Sequence, residues 1–162
     1  PYYGASGIVD YVNKYLFDED LLLVSEDGAN LLARTYPIAF SISGKSWVNN
    51  HAHVLRVANY ESQKFIEYYL NSISLAPYVS GMAQPKLNQK ALNSIPVPFP
   101  EIDIQREVVQ KLDDLSVKTK ELGVIYRQKL TALAELKQSL LQKAFSGELT
   151  SKSCDELEKA AA

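Results

Sequence analysis

Between Ile8 and Val57 the apolar positions come in short runs broken by turn residues, the signature of strands. Ile8-Val9-Asp10-Tyr11-Val12 follows the turn cluster Gly4-Ala5-Ser6-Gly7. Leu21-Leu22-Leu23-Val24 is an unbroken apolar run between acidic residues, which predicts a buried strand. Glu26-Asp27-Gly28 then predicts a turn, with Gly supplying a positive φ. Further strands are expected over Pro37 to Ile42 and Val48 to Val57, separated by the turn Ser43-Gly44-Lys45-Ser46. Within the second of these, Val48, Asn50, Ala52, Val54 and Arg56 fall on one face. Trp47, Asn49, His51, His53, Leu55 and Val57 fall on the other.

From Asn59 the period changes. Phe65, Ile66, Tyr69, Leu70 and Ile73 form a helical stripe, with Asn59 as its N-cap. A Ser80-Gly81 turn leads through Met82-Ala83-Gln84-Pro85-Lys86 to a short helix beginning near Asn88. In Ile95-Pro96-Val97-Pro98-Phe99-Pro100 the alternating prolines fix φ and remove backbone donors, so this piece is extended and acts as a stiff junction.

Beyond the junction one long helix is expected from about 102 to 145. Val108, Leu112, Leu115, Thr119, Leu122, Tyr126, Lys129, Leu133, Leu136 and Leu140 recur at spacings of four and three, and eight of these ten are apolar. That is a heptad seam. Roughly forty residues at about 1.5 Å each give a rod about 60 Å long. So long a rod cannot bury its seam against a small domain and needs a helix alongside. The expected interface residues are Leu112, Leu115, Leu122, Tyr126, Leu133, Leu136 and Leu140. Gly123 costs about 1 kcal/mol relative to Ala and gives a partner room to approach. Ser146-Gly147 supplies the stop. The expected organisation is therefore α+β: a small, mostly β region with short helices over 1–100, a coiled-coil helix over 101–150, and a flexible tail over 151–162.

Composition narrows the class. Apolar residues make up 46 % of the 162, with a mean hydropathy of -0.15, enough for a core in a water-soluble chain. No apolar run of about eighteen residues exists, and Pro1-Tyr2-Tyr3-Gly4 is unlike a signal peptide, so no membrane partner is expected and the cytoplasm is the expected compartment. The lone Cys154 allows no intramolecular disulfide. The net charge of -2 is unevenly spread: residues 1–27 carry -5, residues 28–100 carry +4 and the remainder -1. A basic middle is compatible with phosphate contacts, although most such imbalances are solvated surface.

The motifs of common catalysis are missing: no phosphate loop, no dinucleotide fingerprint, no G-x-S-x-G elbow and no adenine-methyltransferase motif. His51 and His53 share a strand face in this reading but lack a third ligand, so no metal is expected. Asp18/Asp20 and Asp113/Asp114 have no histidine companion and read as solvated charges.

Pro1-Tyr2-Tyr3-Gly4-Ala5-Ser6-Gly7-Ile8-Val9-Asp10-Tyr11-Val12, Glu26-Asp27-Gly28-Ala29-Asn30-Leu31 and Ser43-Gly44-Lys45-Ser46-Trp47-Val48-Asn49-Asn50-His51-Ala52-His53-Val54-Leu55 together look like the body of a target-recognition domain in one family, the specificity subunits of type I restriction–modification systems. Ser80-Gly81 through Gln84-Pro85-Lys86-Leu87-Asn88, then Ile95-Pro96-Val97-Pro98, is similar to the approach to the family's helical spacer. Glu101-Ile102-Asp103-Ile104-Gln105-Arg106-Glu107-Val108-Val109 resembles the spacer's start, with Ile104-Gln105 where the family commonly has Glu-Gln. Ser139-Leu140-Leu141-Gln142-Lys143-Ala144-Phe145-Ser146-Gly147-Glu148-Leu149-Thr150 matches its usual end.

The resemblance covers residues 1–150 and implies a non-catalytic subunit. Its globular region would read one half of a split double-stranded DNA target, and its helix would set the distance to the other half. Methyltransferase subunits would dock alongside, with a restriction subunit in the full complex. The helix would pair with a second recognition half or a second copy. No cofactor is expected in this chain; S-adenosylmethionine would sit on the methyltransferase partner. Family members carry further sequence before the position of Pro1 and a second domain and spacer, so the chain corresponds to part of such a subunit.

The candidate DNA contacts are Lys45, Ser46, Asn49, Asn50, His51, Gln84 and Lys86. Asn and Gln pair bidentately with adenine, and Lys donates to guanine or phosphate. Tyr2, Tyr3 and Trp47 are placed to line the groove or to enter the core, and for Trp47 the core is preferred. Two other functions fit the sequence less closely: a coiled-coil adaptor without DNA contact, and the recognition segment of a single-chain restriction–methylation enzyme.

Overall fold

The computed structural model describes residues 1–81 and 83–149. The expected tail over 151–162, with Cys154, lies outside the described residues, as do Met82 and Thr150. The fold is α+β. In chain order it runs β1 (Tyr2–Gly4), β2 (Gly7–Asp10), β3 (Phe17–Asp18), β4 (Leu21–Ser25), α1 (Asn30–Ala33), β5 (Ala39–Ile42), β6 (Lys45–Val48) and β7 (Ala52–Leu55). There follow α2 (Tyr60–Ser72), a 3₁₀ turn (Ala76–Tyr78), α3 (Gln89–Asn93) and α4 (Ile102–Phe145). The chain divides into two units, Pro1–Leu112 and the segment from Asp113 onward.

In the first unit the strands form two sheets, ordered β2-β1-β6-β3 and β5-β4-β7. The apolar run makes β4 the central strand of the second sheet, antiparallel to both neighbours. Its side chains alternate between two cores. Leu22 and Val24 pack with Leu31, Ile38, Leu70, Leu75, Leu87 and Ile95, on the side of α2. Leu21 and Leu23 pack with Ile42, Val48 and Ala52, beside Tyr3, Phe17 and Phe40. Both faces are buried, which is why the run is continuous rather than alternating. Truncating one of these leucines to Ala removes about 2–5 kcal/mol.

α2 begins as expected, with the Asn59 side chain accepting from the Ser62 N–H at 2.8 Å. At its other end the Arg34 guanidinium donates to the carbonyls of Asn71 and Ile73 at 2.7 Å each, closing orphaned helix-end acceptors. Burial holds this guanidinium below its usual pKa. Asn88 caps α3 by accepting from Ala91 N–H at 2.9 Å. Pro96 to Glu101 carry neither helix nor strand, in keeping with an extended junction. That junction is tied down by Gln105, which is buried; it donates to Pro100 O at 2.6 Å and accepts from Ser62 Oγ at 2.7 Å.

Four expectations need correction. The strand expected over Val48 to Val57 is two strands, β6 and β7, in different sheets, with a turn at residues 49–51. The Asn49 side chain makes that turn by accepting from the His51 N–H at 2.9 Å. Its consequence is that His51 and His53 do not share a strand face. Lys45 and Ser46 belong to β6 rather than to the preceding turn, and Ser46 is buried. Residues 30–33 form a short helix where only strands and turns are expected. Trp47 is half-buried and belongs to neither core cluster, because Ser46 and Val48 take the inward positions of β6.

The first turns of α4 belong to the first unit, where Val109 is buried and Val108 and Leu112 line an apolar cleft of about 320 Å³ with Phe65, Tyr68, Tyr69 and Ser72. In the second unit the seam is exposed. Leu122 is 51 % and Leu133 61 % accessible.

Candidate nucleic-acid interface

Three loops far apart in sequence are stitched together by backbone hydrogen bonds. Glu26 N donates to His51 O at 2.9 Å, and Leu87 N donates to Glu26 O at 2.7 Å. Gly28 N donates to Pro85 O at 3.0 Å, while Ser80 and Lys86 exchange both backbone bonds. The 26–28 turn is thus the hub, with the 49–51 turn on one side and the 80–87 loop on the other. Gly81 is required in that last loop: its φ is +85°, and a Cβ would lie 2.5 Å from Gln84 O.

Side chains follow the same plan. His51 Nδ1 lies 2.8 and 3.1 Å from the two oxygens of Asp27. A carboxylate only accepts, so Nδ1 carries a proton, and in the neutral ring Nε2 is then an acceptor. Lys86 Nζ is 3.0 Å from Glu26 Oε1. His53 turns inward, its Nε2 donating to Leu87 O at 2.7 Å. In the 80–87 loop Pro85 and Leu87 are buried while Gln84 and Lys86 are exposed, so alternation alone points the two polar side chains outward. Asn50 is exposed at the tip of the 49–51 turn, and Asn49 is half-buried beneath it.

Beside the hub is an open cleft of about 520 Å³, bounded by Gly4, Ala5, Ser6 and Val9, by Asp27 to Asn30, and by Asn49 and His51. Gly4 allows its walls to close: a Cβ there would meet Val9 Cγ2 at 2.8 Å and Asn49 Nδ2 at 3.2 Å. The arrangement offers donors, acceptors and one cation at an exposed rim, and its acids engage its bases internally. Such a surface is built for hydrogen-bonding recognition. Among the described residues no cluster of His, Cys, Asp and Glu could hold a metal ion, and no helix is long and apolar enough to cross a membrane.

Of the seven expected contact residues, Asn49, Asn50, His51, Gln84 and Lys86 are brought to the three joined loops. Lys45 is not. It lies at the far end of β6, about 13 Å from Asn49 at some 3.3 Å per residue, with its Nζ 5.0 Å from the Tyr15 ring centre. Ser46 is buried and its hydroxyl has no hydrogen-bond partner. Sequence reasoning missed Asp27, Glu26, Gly4 and Asn30 as parts of the site. The acidic turn was visible, but nothing in the sequence showed that it would meet a histidine 24 positions away.

A polar rim of this kind lies on a β-rich unit, and the chain continues into a long helix with an exposed apolar seam. Comparison with known proteins gives the family. The chain belongs to the type I restriction modification DNA specificity domain family, whose sequence pattern matches residues 1–127. It is 37 % identical over 121 residues to a type I restriction enzyme specificity subunit of Haemophilus influenzae, covering 75 % of this chain and 31 % of that protein. It is 41 % identical over 66 residues to the EcoDI specificity subunit of Escherichia coli (41 % of this chain, 15 % of that one). It is 25 % identical over 146 residues to the StySPI specificity subunit of Salmonella potsdam, covering 85 % and 31 %. The chain spans a third or less of the length of these curated relatives.

Proposed function

We propose that the first unit reads one half of a bipartite double-stranded DNA target, without catalytic activity of its own. The observation that carries this reading is the convergence of the 49–51 turn and the 80–87 loop on the Glu26-Asp27-Gly28 hub. It gathers Asn49, Asn50, His51, Gln84 and Lys86 at one rim in a chain of this family. Exposed Asn and Gln amides address adenine edges, and Lys86 addresses guanine or phosphate. Held by Asp27, the neutral His51 ring presents an acceptor, which suits an exocyclic amino group of adenine or cytosine. Lys45, at a separate place, acts as a phosphate contact.

In this account α4 spaces the two half-sites by pairing with an equivalent helix, and methyltransferase subunits dock beside it. A restriction subunit joins the full complex. S-adenosylmethionine binds the methyltransferase partner, and the assembly works in the cytoplasm. Selection of bound sequences from a random duplex pool tests the reading. The wild-type chain assembled with its methyltransferase subunits should enrich one defined motif, and Gln84→Ala or His51→Ala should relax positions in one half of it. An identical motif from both variants would remove these loops from the reading surface.

A further inference from the structure

Both histidines of the chain lie beside the 26–28 turn, each facing one of its two acids, yet only one of them can change what the surface presents. We infer that His51 reads a different class of base in each of its protonation states. Neutral, it takes an amino-bearing base, adenine or cytosine; charged, it takes a keto base, guanine or thymine. This rests on the DNA reading proposed above and adds to it a specificity that follows pH. His51 Nδ1 stands 2.8 and 3.1 Å from the two oxygens of Asp27, so it holds a proton in both states. The proton that comes and goes is the one on Nε2, which has no hydrogen-bond partner among the described residues. The His51 side chain is 49 % accessible against 14 % for Asp27, so the open side of the ring is the one turned away from the carboxylate.

Pinning by Asp27 makes the change one of chemistry and not of shape. The bond from Nδ1 to the carboxylate persists when the ring gains its charge, and both its ends are then ionised. Nε2 therefore stays where it was, with its role reversed from acceptor to donor. In the major groove that reversal has a direct reading. Adenine and cytosine offer amino donors at N6 and N4, whereas guanine offers N7 and O6, and thymine O4, as acceptors. Guanine, with two acceptors side by side, suits the charged ring best. The other charged groups nearby leave Nε2 alone. Glu26, next to Asp27 in the turn, is paired with Lys86 of the 80–87 loop at 3.0 Å. Apart from Asp27 and His51, the lining of the cleft has no side chain that titrates. His53 is the contrasting case. It is 12 % accessible, donates from Nε2 to Leu87 O at 2.7 Å and has Nδ1 3.9 Å from Glu26. A second proton on His53 falls inside the hub and meets no base.

Imidazole is the side chain whose charge ordinarily changes between about pH 5 and pH 8, so the test is a selection of bound sequences at both ends of that range. The chain assembled with its methyltransferase subunits is offered a random duplex pool at each pH and at one ionic strength. Wild type should show one position at which the ratio of adenine plus cytosine to guanine plus thymine falls on the order of tenfold at the lower pH, the scale of one hydrogen bond exchanged for an unpaired group. His51→Gln, whose amide does not titrate, should give one motif at both pH values. His53→Gln should keep the wild-type response. A wild-type motif that is the same at both pH values would overturn the inference, and so would a response that persists in His51→Gln. A response lost in His53→Gln with its fold intact by circular dichroism would place the switch inside the hub and overturn it too. Failure of the DNA reading itself looks different: His51→Gln would then leave the wild-type motif unchanged at the higher pH.

Discussion

Lys86 shows how a single residue divides its loyalties. It is half-exposed and ion-paired with Glu26 at 3.0 Å, so contact with DNA requires it to exchange one anion for another. Lys86→Ala should weaken DNA binding by about 1–3 kcal/mol if it pairs with a base, relaxing one position. If it touches a phosphate, the slope of affinity against salt should fall by about one instead. A salt series on wild type and variant distinguishes these, and unchanged affinity throughout would remove Lys86 from the site. Asn71 belongs to the fold rather than the site. Its amide accepts from the N–H groups of Ile38 and Ala39 and donates to Ala39 O at 2.7 Å. Asn71→Ala should cost about 2–3 kcal/mol, since it leaves part-buried backbone groups unpaired. Urea denaturation reads this directly; a loss under 0.5 kcal/mol, on the order of a plain surface substitution, would contradict it.

Among elements, those legible in the sequence carry their determinants locally. The unbroken apolar run gave β4, Asn59 and Asn88 marked the starts of α2 and α3, and the heptad set α4 at Ile102–Phe145. The illegible ones depend on partners far along the chain. Tyr2-Tyr3 becomes a strand by pairing in parallel with Trp47-Val48, and no local pattern announces that. The break between β6 and β7 has neither Gly nor Pro; its one sign was the Asn49-Asn50 pair, whose first amide closes the turn. The site was legible in its residue types and not in its assembly, because the Asp27–His51 contact joins the turn after β4 to the turn between β6 and β7, 24 positions further on.

Two predictions belong to α4. Replacing Leu122 and Leu133 by Lys should abolish self-association in sedimentation while leaving the first unit folded, since neither residue belongs to it. Persistent association would place the interface elsewhere. Gln105→Ala should destabilise the first unit by about 2 kcal/mol, because it unmakes the bonds to Ser62 and Pro100 and leaves a void. An unchanged unfolding midpoint would mean that the proline junction is held by packing alone.

On the proposed function, labour in the whole molecule is divided between a recognition unit, a spacer helix and partners that carry the chemistry. Isothermal titration of the isolated chain with S-adenosylmethionine should show no stoichiometric heat, whereas the methyltransferase partner should bind it; stoichiometric binding to the chain would place cofactor chemistry here. The central claim is that the three loops joined at Glu26-Asp27-Gly28 choose the sequence. Its most direct test is the map of methylated sites made in cells by the assembled complex, with wild-type chain and with Asn50→Ala/Gln84→Ala. The account predicts a two-part motif for wild type and, for the variant, altered bases in one half with the other half and the spacing retained. An unaltered motif at wild-type frequency would contradict it.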